Sequence, residues 1–295
     1  MKNKFIDLKM NANTPKTLEL YIYTDVESDY WDWWTGEKVE SQTSAEYIRK
    51  ELEAAGDITQ INIYINSLGG SVMEGMSIYN QLRRHKAHKT VYIDGFACSV
   101  ASVIAMAGDE VVMPSNTMMM IHAPWLCVRG HSSDLRKAAD ELDKISLSTM
   151  QAYLQKAGGK LTAEKLAEMY DQETYWSAAE CISLGLADRM ADADIDIEAA
   201  IAALGASESG ECRQMIDRLK TAAAKAAIPP PTEQVGSPIL QSTAKVEQTE
   251  TEQSQNTDVP DCSNFTGGVD MGHSESQTTN FISIAENKII KFFRL

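Results

Sequence analysis

Between residues 18 and 190 the chain alternates between strand and helix signals, and this limits its fold more than any other feature. Leu18 to Tyr23 and Ile61-Asn62-Ile63-Tyr64-Ile65 read as strands, and Val72 to Arg84 as a helix. Thr43-Ser44-Ala45-Glu46 is a capping-box pattern opening a helix that ends at Gly56. Thr90 to Ile93 is a strand, Ser99 to Ala107 a helix closed by Gly108, and short strands follow at Val111-Val112-Met113 and Met118 to Ile121. Asp134 to Lys156 is a long amphipathic helix, and Ser177-Ala178-Ala179-Glu180 a second capping box with Gly185 as its C-terminal cap. Such alternation implies an α/β fold with largely parallel strands.

Composition divides the chain further. All five Trp precede residue 177, whereas five of the eight Pro follow residue 228. From Pro229 to about residue 280, Gln, Ser, Thr, Glu and Asn dominate. That segment cannot bury enough apolar surface to offset its chain entropy and reads as disordered. Apolar residues return at Phe281 to Ile284 and Ile289 to Phe293, as either a docking element or a sticky end. The expected division is an α/β domain over 1–192, a helical extension over 193–228 and a disordered tail over 229–295.

The 295 residues carry 42 acidic and 27 basic side chains, a net charge of −15 that argues against a nucleic-acid-coating role. No apolar run is long enough to span a membrane, and Met1 to Phe5 leads into no apolar core, so neither an anchor nor a secretory signal is expected. The five Cys form no C-x-x-C pair; reduced cytoplasmic thiols, no metal and no cofactor are the expectation.

Several segments can carry chemistry. Asn66-Ser67-Leu68-Gly69-Gly70 joins a strand to a helix, and its glycines allow close approach to the backbone amides; an ordinary βα turn explains it equally well. In Gly95-Phe96-Ala97-Cys98-Ser99-Val100, Ser99 opens a helix, where a lone serine is more often a cap than a nucleophile. Cys98 is a rival nucleophile, though a thiol among small apolar residues is usually inert. His122, in Met120-Ile121-His122-Ala123-Pro124, is the sole histidine in an apolar frame. Asp171 and Glu173 precede the second capped helix, where solvated charge is the plain explanation. Together these residues make up an inventory for acyl transfer: a hydroxyl, a base, an acid to orient the base, and amides for an oxyanion.

In that order, Tyr64 to Gly70, Gly95 to Ser99, Met120 to Pro124 and Trp176-Ser177-Ala178-Ala179-Glu180 closely resemble the ClpP family of serine peptidases. Ile78-Tyr79-Asn80, Ile104 to Asp109 and Glu173 to Trp176 look like its phage and prophage branch, the head maturation proteases. The resemblance covers roughly residues 18 to 192. It implies the ClpP/crotonase spiral of ββα units, with the helix from Asp134 as the handle joining rings. Ser99 matches the nucleophile, His122 the general base, and the amides of Gly70 and Val100 the oxyanion hole. The chain departs from the family pattern at Leu68, usually Pro, at Cys98, usually Ala, and at the acid. Glu173 aligns with the usual Asp and is favoured; Asp171, two residues earlier, is the rival.

The resemblance further implies a protein or peptide substrate, capsid or scaffold proteins in the phage branch, and a homo-oligomeric ring or paired rings. A separate AAA+ unfoldase is the family's usual partner, and the chain has no G-x-x-x-x-G-K-[ST] of its own. Two other classes stay open. A crotonase-type acyl-CoA enzyme shares the spiral and an oxyanion hole but has no need of Ser99 and His122 together. A non-catalytic capsid-assembly or scaffold protein would act through its tail.

Overall fold

The computed structural model describes residues 6–7, 16–204, 216–218, 220–221 and 292–294. Strands β1 (Ile6–Asp7) and β2 (Thr17–Ile22) pair antiparallel, and an exposed hairpin, β3 (Tyr30–Trp31) with β4 (Lys38–Val39), carries Trp33 and Trp34 at its tip. Then come α1 (Ala45–Ala55), β5 (Gln60–Ser67), α2 (Val72–Arg84), β6 (His88–Cys98), α3 (Val100–Ala105), β7 (Glu110–Met113), β8 (Met118–Ile121) and β9 (Trp125–Cys127). The helix α4 (Ser132–Ala157) leads to α5 (Ala163–Asp171), β10 (Thr174–Ser177), α6 (Ala178–Leu184), β11 (Arg189–Met190) and α7 (Ile197–Leu204). No helix among the described residues is long and apolar enough to cross a membrane.

The principal sheet runs β1-β2-β5-β6-β7-β11, and β8 and β10 branch from β6. Its β2–β5, β5–β6, β6–β7, β6–β8 and β7–β11 pairings are parallel, as the alternation predicts. Inward positions of β2 and β5 alternate with half-exposed ones, burying Leu18, Leu20, Ile22, Ile61, Ile63 and Ile65 against the helices. On the other face, Tyr21, Tyr64 and Tyr92 stack in register across three strands, with ring centroids 4.7 and 5.1 Å apart.

β6 is longer than expected because it serves two partners. Its first half pairs with β7 and its second, Phe96 to Cys98, with β8. Between them the β5–β6 register slips at Asn66. The buried Asn66 amide closes this bulge, donating to the Ala200 carbonyl at 2.9 Å and accepting from the Phe96 amide at 3.2 Å. A Cβ on Gly95 would lie 2.4 Å from Asn66 Oδ1, so a side chain there would displace the amide.

Helix boundaries follow local chemistry. The N-cap of α1 is Ser44, which accepts from the Tyr47 amide, and not Thr43. Thr43 is drawn away to accept from the Glu27 amide and donate to the Asp25 carbonyl. The Ser177–Glu180 capping box and the left-handed Gly185 cap form as expected. Strand β10 and helix α5 are further short elements beyond the sequence reading, which placed two carboxylates before the second capped helix.

Of the expected extension and tail, much falls outside the described residues, including the Ala-rich stretch 222–227 and the low-complexity region from Pro229. What is described is α7, helical residues within 216–221, and β12 (Phe292–Arg294), which pairs antiparallel with β9. The second apolar segment near residue 290 therefore includes a paired strand. Cys127 is disulfide-bonded, which corrects the expectation of reduced thiols throughout; Cys98 and Cys181 are free and buried.

Gly75 sits inside α2, where glycine ordinarily weakens a helix, because a Cβ there would lie 2.1 Å from Val100 Cγ2. Gly75→Val should lower stability by about 2 kcal/mol through overpacking against the stiff Val100 side chain, read as a lower denaturation midpoint.

Candidate active site

The parallel pairing of β6 with β8 brings the chain after Cys98 beside the chain after Ile121. Ser99 follows β6, and its Oγ lies 2.9 Å from His122 Nε2. As expected for a serine at a helix start, Ser99 occupies the N-cap position of α3, yet its side chain makes no capping bond. Its backbone is left-handed, with φ 58° and ψ −133°, which turns the hydroxyl away from the helix amides. Two hydrogen bonds hold that turn: the Ser99 amide donates to the Met120 carbonyl at 2.7 Å, and Ser102 Oγ donates to the Ser99 carbonyl at 2.7 Å. The Ser102 hydroxyl is also 2.6 Å from the buried Tyr153 hydroxyl of α4, which anchors the turn to the long helix.

The glycine turn closes over Ser99. Gly69 and Gly70 have φ 104° and 135°, and a Cβ on Gly69 would stand 2.5 Å from Ser99 Cβ. Val26 pins the turn, its amide donating to the Gly69 carbonyl at 2.6 Å and its carbonyl accepting from the Ser71 amide at 2.7 Å. Neither Gly70 nor Val100 donates in any of the turn, loop and cap hydrogen bonds. The Ser99 hydroxyl, already paired with an imidazole, thus lies against the glycine turn, with the Val100 amide next to it along the chain. Such a group of atoms can accept a proton from an attacking hydroxyl, and free backbone amides can stabilise the oxyanion of a tetrahedral intermediate.

His122 is held at a strand exit, where the next amide, Ala123, donates to the Tyr170 carbonyl at 3.1 Å. Burial lowers its pKa, and the negative charge of Glu173 works against that shift. β10 pairs antiparallel with β8 in the register Thr174↔Ile121, which sets Glu173 opposite His122. Asp171 lies at the exposed end of α5. Glu173 has its own left-handed backbone, φ 50°. Its carboxylate accepts from Arg218 Nη1 at 2.8 Å and from the Tyr175 hydroxyl at 3.4 Å. Cys98 is fully buried, and burial, with the nearby charge of Glu173, pushes its thiol well above the usual range. It therefore supplies no thiolate near neutral pH.

The structure thus pairs Ser99 with His122 and sets the charge of Glu173 near that imidazole, while Gly70 and Val100 adjoin, along the chain, the close contact between Gly69 and Ser99. Sequence reasoning did not find Arg218, whose position beyond any recognisable motif gave no signal. Nor did it find Ser102 and Tyr153, which read as core positions.

Residues 34–194 match the Clp protease family model. Over 162 residues, 53% of this chain and 78% of the relative, the sequence is 32% identical to the ATP-dependent Clp protease proteolytic subunit of Deinococcus radiodurans. It is 29% identical over 167 residues to ATP-dependent Clp protease proteolytic subunit 1 of Protochlamydia amoebophila, covering 54% of this chain and 80% of that protein. The chain belongs to the Clp protease family.

The left-handed backbone at Ser99 generates a stability test. Ser99→Gly and Ser99→Ala lose the same hydroxyl, but only glycine relieves the backbone. Ser99→Gly should be the more stable of the two by about 1 kcal/mol in denaturant unfolding, the reverse of the usual Gly–Ala ranking.

Proposed function

We propose that this chain is a serine-type endopeptidase in which Ser99 is the nucleophile, His122 the general base and Glu173 the orienting acid. The observation that carries the reading is the 2.9 Å contact between Ser99 Oγ and His122 Nε2 beneath the glycine turn. Ser99 attacks the peptide carbonyl and His122 Nε2 takes its proton. The oxyanion rests on the amides of Gly70 and Val100. His122 then returns the proton to the leaving amine, and water, deprotonated by the same imidazole, hydrolyses the ester. Glu173 stabilises the imidazolium through its charge.

The substrate class is protein or peptide. The motifs at Ile78-Tyr79-Asn80, Ile104 to Asp109 and Glu173 to Trp176 support a head maturation role on capsid or scaffold proteins, within a homo-oligomeric ring. The chemistry itself needs no ATP, and any unfoldase is a separate protein.

Fluorophosphonate labelling with peptide mapping tests the reaction class. Label is expected on Ser99 and is lost in Ser99→Ala and His122→Ala, while circular dichroism stays unchanged; label elsewhere, or none, defeats the assignment. The pH profile tests the acid. The base must be neutral, and burial lowers the His122 pKa, so activity should persist below the ordinary histidine range. Glu173 raises that pKa; Glu173→Gln should therefore move the acidic limb to lower pH and reduce kcat by roughly 10²–10⁴-fold. A loss of that size in Asp171→Asn, with Glu173→Gln active, would reverse the assignment of the acid.

A further inference from the structure

We infer that Arg218, beyond the end of the Clp-matched span, is a positioning residue for the peptidase site, holding the Glu173 carboxylate beside His122. The inference rests on the triad reading above. The matched span stops at residue 194, yet the chain after it packs against the flank of the site. Ile201 and Leu204 of α7, together with Ile216, are buried in one cluster with Leu68, Phe96, Cys98, Met118 and Met120. Leu68 adjoins the glycine turn, Cys98 adjoins Ser99, and the Met120 carbonyl accepts the Ser99 amide. Asn66 fastens α7 to the β5–β6 bulge through the Ala200 carbonyl.

This packing brings Arg218, two residues after the buried Ile216, to the acid. Its guanidinium donates to Glu173 Oε2 at 2.8 Å, while Tyr175 reaches the other oxygen. Glu173 needs such holding. It lies on a left-handed residue between α5 and β10, and no hydrogen bond from the imidazole fixes its carboxylate among the contacts described. As an ion pair the contact adds little stability, because the two side chains are 50% and 32% exposed. Its consequence falls instead on where the carboxylate sits and how much of its charge His122 feels. The ionisable groups facing Glu173 are His122 at the end of β8, Tyr175 on β10, Cys98 at the end of β6, and Arg218. Of these, only Arg218 carries charge near neutral pH and opposes the charge of Glu173.

The test uses the full-length chain and a fluorophosphonate probe at Ser99, with rate constants measured across pH. Arg218→Ala should slow labelling by about tenfold, the scale of one charge-assisted hydrogen bond. It should also move the acidic limb to lower pH, because a carboxylate no longer held beside His122 raises the imidazole pKa less. Thermal denaturation should change little. Arg218→Lys, which keeps the charge, should restore most of the rate and the limb. In a Glu173→Gln background, Arg218→Ala should add almost nothing, since both changes remove the same interaction. An Arg218→Ala protein with wild-type rate and limb overturns the inference while leaving the peptidase reading intact. So does an undiminished effect in the Glu173→Gln background. Absence of Ser99 labelling in the wild-type chain overturns both.

Discussion

Ser99 is compressed between two backbone segments, and much of the site follows from that. Below it, the Met120 carbonyl captures its amide. Above it, Gly69 approaches so closely that any side chain would overlap the Ser99 Cβ. A residue in this slot cannot relax into ordinary helical or extended geometry without separating β8 from β6 or lifting the glycine turn off Val26. The left-handed backbone is thus imposed by its surroundings, and the cost, on the order of 1–3 kcal/mol for a non-glycine residue, is borne by the buried sheet on either side. In return the hydroxyl is kept from its default partners, the first amides of α3, and faces an imidazole.

The same logic explains why β6 is divided between two neighbours. A strand that stayed with β7 along its whole length would leave no room for β8 at the end where Ser99 emerges. The bulge at Asn66 redirects β6, and the parallel Phe96–Met118 to Cys98–Met120 pairing then delivers Ser99 and His122 to adjacent strand ends. Sites of this kind form where neighbouring parallel strands terminate together. β10, added antiparallel on the far side of β8, completes the row by setting Glu173 across from His122.

Much of this was legible in the sequence. Val72 to Arg84 and Met118 to Ile121 match their observed bounds because periodicity and flanking glycine or proline agree there. β10 was hidden: four residues, Thr174 to Ser177, run straight into a capping box, and the cap dominates the pattern. β6 was cut short because Asp94-Gly95 reads as a turn, although it is the bend at which the strand changes partner. Ser99 and His122 were suggested by their frames. The preference for Glu173 over Asp171 came from the resemblance at Trp176-Ser177-Ala178; the β8–β10 register, a long-range property that no local spacing encodes, is what brings the start of β10 beside the end of β8. The disulfide at Cys127 was likewise invisible, since no local cysteine pair announces it.

Leu68 and Cys98, beside the glycine turn and the serine, share one structural setting. Both are buried in the small cluster that receives Ile201, Leu204 and Ile216. Proline and alanine would present less apolar surface there, and burial of a leucine-sized side chain is worth roughly 2 kcal/mol. Leu68, Phe96, Cys98, Met118 and Met120 form an apolar floor, the chain beyond the Clp-matched span packs onto it, and Arg218 follows that packing to Glu173. A glutamate, one methylene longer than aspartate, suits the arrangement, since its carboxylate can reach outward to the guanidinium while its charge still acts on His122. Swapping the acid alone, without the extension, would leave a longer and freer side chain on a left-handed residue with nothing to hold it.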